Sequence, residues 1–294
     1  MKRQWLMVLG LACLIVLTAV NGFAAHGEKR QEKKAILLAA FGTTVPEAQK
    51  AFDQVEARVK QAFPGIEVRW AYTSSIVRAK VAKQGKVLLS PESALAKLME
   101  DGYTHVAVLS LHTIPGEEFH NLNQNARLFG QMLDGFEKIL VARPLLSSRE
   151  DMERVAKAML KNIPAGRKPG DAVVLMGHGT EKHPSDAIYL ALYHTLQEMD
   201  PNAYTATVEG YPTIKDILPK LKEKKVKKVY LMPFMAVAGD HARNDMAGDE
   251  PDSWKSILGK EGLTCEAVLK GTAEIPEVVD IWVDHLRLVL DHFQ

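Results

Sequence analysis

The chain has 294 residues, of which 47% are hydrophobic and 25% are charged, and its formal net charge at pH 7 is +1. This length and apolar content suffice for one large or two medium folded domains. A charge so close to zero argues against a nucleic-acid partner, because proteins that bind phosphate backbones carry strongly basic surfaces.

The first 25 residues have the pattern of a secretory signal peptide. Residues 2 and 3 are basic, an apolar run extends from Trp5 to Val20, and small residues follow at positions 22, 24 and 25. We therefore predict cleavage near Ala24 or Ala25 and a periplasmic location. A permanent membrane span is the less favoured alternative, because no stop-transfer segment follows. After cleavage Cys265 is the remaining cysteine, so no intrachain disulfide is expected.

Short apolar segments alternate with amphipathic stretches along the rest of the chain. This alternation predicts parallel sheets flanked by helices, the α/β class. The predicted strands are Ala35–Ala40, Glu67–Tyr72, His105–Leu111, Lys138–Ala142, Ala172–Met176, Tyr204–Glu209, Lys228–Met232 and Thr264–Val268. Thr44 begins a predicted capping box, and Pro91, Pro184 and Pro276 are each predicted to open a helix.

The sequence contains an internal repeat. The aligned pairs are residues 38–43 with 175–180 and residues 114–118 with 237–241. Both pairs occur in the same order, so we predict two similar Rossmann-like lobes with a cleft between them. The N-terminal lobe is predicted over residues 34–145 and the C-terminal lobe over residues 171–294. A linker is expected within residues 145–162 or 165–170.

Two histidines follow apolar strands in the second repeat, where the first repeat has Phe41 and Glu118. His178 lies between two glycines, and His241 follows Gly-Asp. Ligands of open α/β sheets bind beyond the carboxyl ends of strands, so both imidazoles are candidate metal ligands. Glu209, after a third strand, is a candidate third ligand for Co²⁺, Fe²⁺, Ni²⁺ or Zn²⁺. The alternatives are an anion-binding turn around His178 and a helix-capping role for His241.

Several segments together resemble the sirohydrochlorin cobaltochelatases of the anaerobic cobalamin pathway. They are residues 40–43 (AFGT), 110–114 (SLHTI), 116–119 (GEEF), 176–179 (MGHG), 208–212 (VEGYP), 231–235 (LMPFM), 239–242 (GDHA) and 252–255 (DSWK). The resemblance implies chelatase-like lobes, a tetrapyrrole between them, and insertion of a divalent metal without a nucleotide. It implies that His178 and His241 are catalytic residues and metal ligands, that Glu209 is a metal ligand, and that Glu118 lies in the cleft.

In this interpretation the substrates are sirohydrochlorin and Co²⁺, with Fe²⁺ as the alternative metal. The ligands would hold the metal over one face of the ring and accept the pyrrole protons. The residues predicted to line the cleft are Phe41, Leu111, His112, Ile114, Glu118, Phe234 and Met235. For His112, a structural hydrogen-bonded role is an equal alternative.

The competing hypothesis is a non-enzyme. An exported bilobed protein can hold a metal or a tetrapyrrole as a carrier, without turnover. Export also departs from the resemblance, since that family acts on a cytosolic intermediate, and it leaves a different physiological substrate open as an alternative.

His120 follows the GEEF segment and has no assigned part in metal insertion. We predict a homo-oligomer in which one His120 from each subunit meets across a two-fold axis. The two imidazoles would supply axial ligands to a haem or bind a second metal. The alternative is a solvent-exposed histidine.

Overall fold

The computed structural model describes residues 30–293. Its strands are β1 (Lys34–Ala40), β2 (Glu67–Tyr72), β3 (His105–Ser110), β4 (Lys138–Val141), β5 (Ala172–Gly179), β6 (Ala203–Glu209), β7 (Lys228–Pro233) and β8 (Thr264–Ala267). Every predicted strand is confirmed. The largest boundary difference is at the end of β5, which continues past Met176 to Gly179. The predicted signal peptide lies outside the described residues.

The strands form two parallel sheets with the same topology. The orders are β2-β1-β3-β4 and β6-β5-β7-β8, so β1 corresponds to β5 and β3 corresponds to β7. The aligned glycines Gly42 and Gly179 also share a left-handed backbone, with φ of 100° and 79°. Two similar α/β lobes are therefore present, as the internal repeat predicts.

The helices are α1 (Pro46–Ala62), α2 (Ser75–Ala82), α3 (Pro91–Glu100), α4 (Glu117–Gly130), α5 (Arg149–Lys161), α6 (Ala187–Met199), α7 (Ile214–Glu223), α8 (Trp254–Lys260) and α9 (Pro276–Asp291). The predicted starts at Pro91 and Pro276 are confirmed, whereas Pro184 opens a single 3₁₀ turn before α6. The capping box at Thr44 is wrong. Val45 precedes α1 without a side-chain cap, and the Thr43 hydroxyl instead accepts from the Val45 N–H.

A shared apolar core lies between the two sheets. One face of each sheet packs against the inner helices α1, α5, α6 and α9. The opposite face of the first sheet is covered by α3 and α4, and that of the second by α7 and α8. The interior strands β1, β3, β5 and β7 are buried on both faces, and their sequences are correspondingly rich in apolar residues.

The C-terminal helix α9 packs against β3, α1 and α5, on the N-terminal side of the molecule. The chain thus crosses between the lobes a second time, which the predicted boundaries do not include. Of the two predicted linkers, the first contains α5 at residues 149–161, whereas the second, residues 165–170, lies outside the helices and strands. Ser148 caps this helix by accepting from the Asp151 N–H, and Val155 and Met159 are fully buried.

A buried ion pair joins α5 to α9. His285 Nε2 lies 2.9 Å from Asp151 Oδ1, and His285 Nδ1 lies 3.2 Å from the carbonyl oxygen of Arg143. Both side chains are at most 3% exposed. Burial acts to raise the pKa of Asp151, but hydrogen bonds from His285 and Ser148 outweigh it and hold the pKa below its usual value. This pair links α5, the helix between the two sheets in the chain, to the C-terminal helix α9.

Within residues 30–293, no helix is long and apolar enough to cross a bilayer.

Candidate functional site

The structure brings His178 and His241 together. Their ring centroids lie 4.9 Å apart, with the ring planes nearly perpendicular. His178 is the second-to-last residue of β5. His241 lies just before the short π-helical turn Ala242–Met246 that follows β7. Because β5 and β7 are hydrogen-bonded neighbours, their carboxyl ends deliver both imidazoles to one place.

Each imidazole of this pair has an oxygen acceptor at Nδ1. His178 Nδ1 lies 3.0 Å from the Gly179 carbonyl oxygen, and His241 Nδ1 lies 2.5 Å from Asp245 Oδ2. A proton on Nδ1 that donates to such an acceptor leaves the Nε2 lone pair free, which is the usual arrangement in metal-binding histidines. The pair is therefore prepared to bind a cation or accept a proton through Nε2.

Asp245, which contacts His241, is not among the predicted site residues. The two residues are four apart on a helical turn, and that spacing was a usable signal.

Tyr189 supports the backbone beneath His178. Its side chain is fully buried, and burial raises its pKa above the usual value. A Cβ on Gly177 would lie 2.4 Å from the Tyr189 ring, so a side chain at position 177 is excluded. The glycine before His178 thus lets the loop lie directly on the aromatic ring.

Glu209 is the last residue of β6 and pairs in register with Gly179, next to His178. It is exposed, whereas the imidazoles are partly buried. Among the described residues, no three His, Cys, Asp or Glu side chains are grouped closely enough to hold a metal. The three-ligand set His178, Glu209 and His241 therefore stays a prediction.

Glu118 and His112 face this pair from the N-terminal lobe. His112 Nδ1 lies 2.8 Å from the Ser110 hydroxyl, and His112 Nε2 lies 3.7 Å from Glu118 Oε2. Burial acts to raise the pKa of Glu118, but the neighbouring His112 and Thr73 side chains, with a contribution from His178, lower it overall. Glu118 is consequently an ionised carboxylate within electrostatic reach of His178.

The cleft wall differs from the prediction at two positions. Leu111 is 2% exposed and Phe234 is fully buried, so neither presents surface to a ligand. The N–H groups of both residues continue the ladders of β3 and β7, which keeps their side chains in the core. Phe41 is 47% exposed, and Ile114 and Met235 are half-buried. These three are the apolar residues available to a bound ring.

The two lobes approach each other at their loops. A Cβ on Gly239 would lie 3.4 Å from Thr43 Oγ1, and one on Gly116 would lie 3.5 Å from Ser185 Oγ. The exposed His120 ring lies 5.3 Å from the ring of His183 in the other lobe of the same chain.

A polar cavity of about 300 Å³ adjoins Glu118. Its lining residues are Thr73, Arg78, Pro91, Glu92, Glu118, Asn121, Leu122 and Asn125. Arg78 donates from Nη1 to the carbonyl oxygens of Tyr72 and Thr73, at 2.5 and 2.7 Å. A guanidinium is thereby fixed in the cavity wall beside the cleft.

Comparison with known proteins connects this geometry to a family. The model of the cobalt chelatase (CbiK) family matches residues 34–291. The sirohydrochlorin cobaltochelatase CbiKC of Nitratidesulfovibrio vulgaris is 47% identical over 86% of this chain and 89% of its own length. The sirohydrochlorin cobaltochelatase of Salmonella typhimurium is 33% identical over 88% of this chain and 97% of its own length.

A solved structure has the same fold. The sirohydrochlorin chelatase SirB of Bacillus subtilis subspecies spizizenii, in complex with cobalt, aligns with a TM-score of 0.58 at 16% identity. The alignment covers 88% of this chain and 96% of SirB. At this identity the match supports the two-lobed α/β architecture.

Proposed function

The chain belongs to the cobalt chelatase (CbiK) family, and we propose that it inserts Co²⁺ into sirohydrochlorin in the cleft between its lobes. The observation that carries this proposal is the His178–His241 pair, with both Nδ1 atoms engaged and both Nε2 atoms free. Fe²⁺ is the alternative metal, because imidazole and carboxylate ligands accept either ion.

Metal insertion requires a partly desolvated cation above the ring and removal of two pyrrole protons. The Nε2 atoms of His178 and His241 would replace water around the metal, and Glu209 would complete the set if its side chain turns toward them. As the metal moves into the ring, the released imidazoles become free to accept a proton. The same groups would thus serve first as ligands and then as bases.

Glu118 would act from the opposite lobe. It is ionised at neutral pH and would accept a second pyrrole proton, although its lowered pKa makes it a weaker base than an ordinary carboxylate. His112, fixed by the Ser110 hydroxyl, would orient this carboxylate. The cleft role of His112 stays a prediction, and its hydrogen bond with the Ser110 hydroxyl fits the structural alternative.

The ring itself would be held by apolar and basic groups. Phe41 occupies the position in the N-terminal lobe that His178 occupies in the C-terminal lobe, and its exposed ring can pack on the macrocycle. Ile114 and Met235 would extend this apolar surface. Arg78, in the adjoining polar cavity, is placed to pair with a carboxylate arm of the substrate.

The competing function is a carrier that binds metal or tetrapyrrole without turnover. Incubation with a hundredfold excess of sirohydrochlorin and Co²⁺, followed by absorbance, separates the two. An enzyme metallates many equivalents of tetrapyrrole, whereas a carrier stops at one per protein chain. Stoichiometric uptake would contradict the chelatase proposal.

A haem-binding oligomer is a separate proposal that rests on His120. The imidazole is exposed on α4, so it can serve as an axial ligand in a symmetric oligomer. Protein purified from a haem-producing host should show a Soret band that His120→Ala removes. His194→Ala, at a histidine that is 77% exposed on α6, is the matched control and should retain the band. A colourless wild-type protein would contradict haem binding.

The proposed periplasmic location rests on residues 1–25, which lie outside the described part of the chain.

A further inference from the structure

Asp186 connects the two loops that carry His178 and Glu209. Its Oδ1 accepts the Thr180 N–H at 2.9 Å, and its Oδ2 accepts the Tyr211 N–H at 2.9 Å. Thr180 lies two residues after His178, and Tyr211 lies two residues after Glu209. One carboxylate therefore spans the gap between the β5 and β6 exits.

The loops on either side of this carboxylate have no room to adjust. A Cβ on Gly210, whose φ is 91°, would lie 1.9 Å from Asp186 Oδ2 and 2.6 Å from the Thr180 carbonyl oxygen. A Cβ on Gly179 would lie 1.5 Å from the Glu209 carbonyl oxygen. Both backbones thus approach the carboxylate and each other at glycine positions, where no side chain could be inserted.

Asp186 lies in a turn that leads into a helix of the shared core. It ends the 3₁₀ turn Pro184–Asp186, which leads directly into α6. The preceding Ser185 is buried, and its N–H donates to His183 Nδ1. Helix α6 packs against β6 and belongs to the shared core. The carboxylate consequently has a fixed position from which it can locate the two loops.

We propose that Asp186 is a positioning residue that sets the separation between His178 and Glu209 and so the geometry of the metal site. This inference rests on the proposed function in one respect, the use of these two residues as metal ligands. Residues that orient metal ligands typically contribute 10- to 100-fold to metal affinity. Asp186 touches neither ring nor metal, so its loss should affect Co²⁺ use more than the chemical step.

Asp186→Asn tests the proposal because it leaves the size of the side chain nearly unchanged. The amide oxygen can accept one of the two N–H groups, while the amide NH₂ faces the other donor. We expect the Co²⁺ concentration for half-maximal rate to rise about 10- to 100-fold. The rate at saturating Co²⁺ and the KM for sirohydrochlorin should stay within a few-fold of wild type. Calorimetric titration with Co²⁺ alone should show a matching loss of affinity.

Hydrogen exchange supplies a readout that is independent of catalysis. In the wild-type protein the amides of Thr180 and Tyr211 should exchange slowly, and Asp186→Asn should accelerate at least one of them. If these two amides exchanged rapidly in the wild-type protein, the positioning role of Asp186 would be overturned even if the variant failed to fold.

Asp200→Asn is the matched control. Asp200 also accepts a backbone N–H, that of Asn202 at 2.8 Å, but it lies before the start of β6, at the other end of the strand. Its replacement should leave Co²⁺ use unchanged. Equal effects of the two variants on Co²⁺ use would overturn the positioning role, as would unchanged Co²⁺ use in Asp186→Asn. A wild-type protein that binds Co²⁺ but metallates nothing would contradict the proposed function and leave the binding and exchange tests of Asp186 decisive.

Discussion

His178→Ala and His241→Ala should each lower the rate of cobalt insertion by about a hundredfold or more, the usual contribution of a positioned acid–base group. Each change removes a free Nε2 atom that the structure places at a strand exit. Neither residue is in the fully buried core, so the loss of volume should leave the thermal unfolding midpoint close to wild type. Turnover with saturating sirohydrochlorin and Co²⁺, together with calorimetry, measures both effects.

Two further variants test whether the loss of turnover is specific to the histidine pair. Glu209→Gln keeps the shape of the side chain but removes its charge, so it should mainly weaken the use of Co²⁺. His194→Ala removes an exposed histidine that pairs with Glu198 and should leave turnover unchanged. Near-normal turnover in either His178→Ala or His241→Ala would rule out the proposed role of that residue.

His285→Ala should lower the free energy of unfolding by about 3 kcal/mol, the lower end of the usual cost of removing one partner of a buried ion pair. The variant would leave Oδ1 of the Asp151 carboxylate, which is 3% exposed, without His285, while Ser148 and Arg143 still contact Oδ2. Urea denaturation followed by far-UV circular dichroism gives the value. Glu277→Gln, in the exposed Lys161–Glu277 pair, is the control and should change stability by no more than about 1 kcal/mol.

The buried pair also predicts a pH dependence. The pKa of Asp151 in the folded protein lies below its usual value, so the folded state binds fewer protons at this group than the unfolded state. The resulting stabilisation is complete above the unfolded pKa of about 3.9 and is lost as the pH falls through the folded pKa. Asp151→Asn should remove this acid-sensitive component. Parallel stability profiles for wild type and Asp151→Asn below pH 5 would contradict it.

The interior strands were predictable because parallel strands with two buried faces have long apolar runs, and the meeting of His178 with His241 followed from the rule for strand exits. Long-range contacts were not predictable in the same way. Tyr211 lies 25 residues from Asp186, and nothing local in the sequence indicates that one accepts a hydrogen bond from the other. Phe234 is predicted to pack on the bound ring as one of several apolar residues, but its N–H extends the ladder of β7 and its ring stays in the core.

The packing of α9 against β3 and α1 also bears on how the chain folds. The inner face of the first sheet is completed by a helix that is synthesised after every strand of the second sheet. Contacts of such high sequence separation form slowly, because a long loop must close before they stabilise anything. The N-terminal lobe therefore cannot reach its final packing while the ribosome is still making the C-terminal lobe, and the two lobes mature as one cooperative unit.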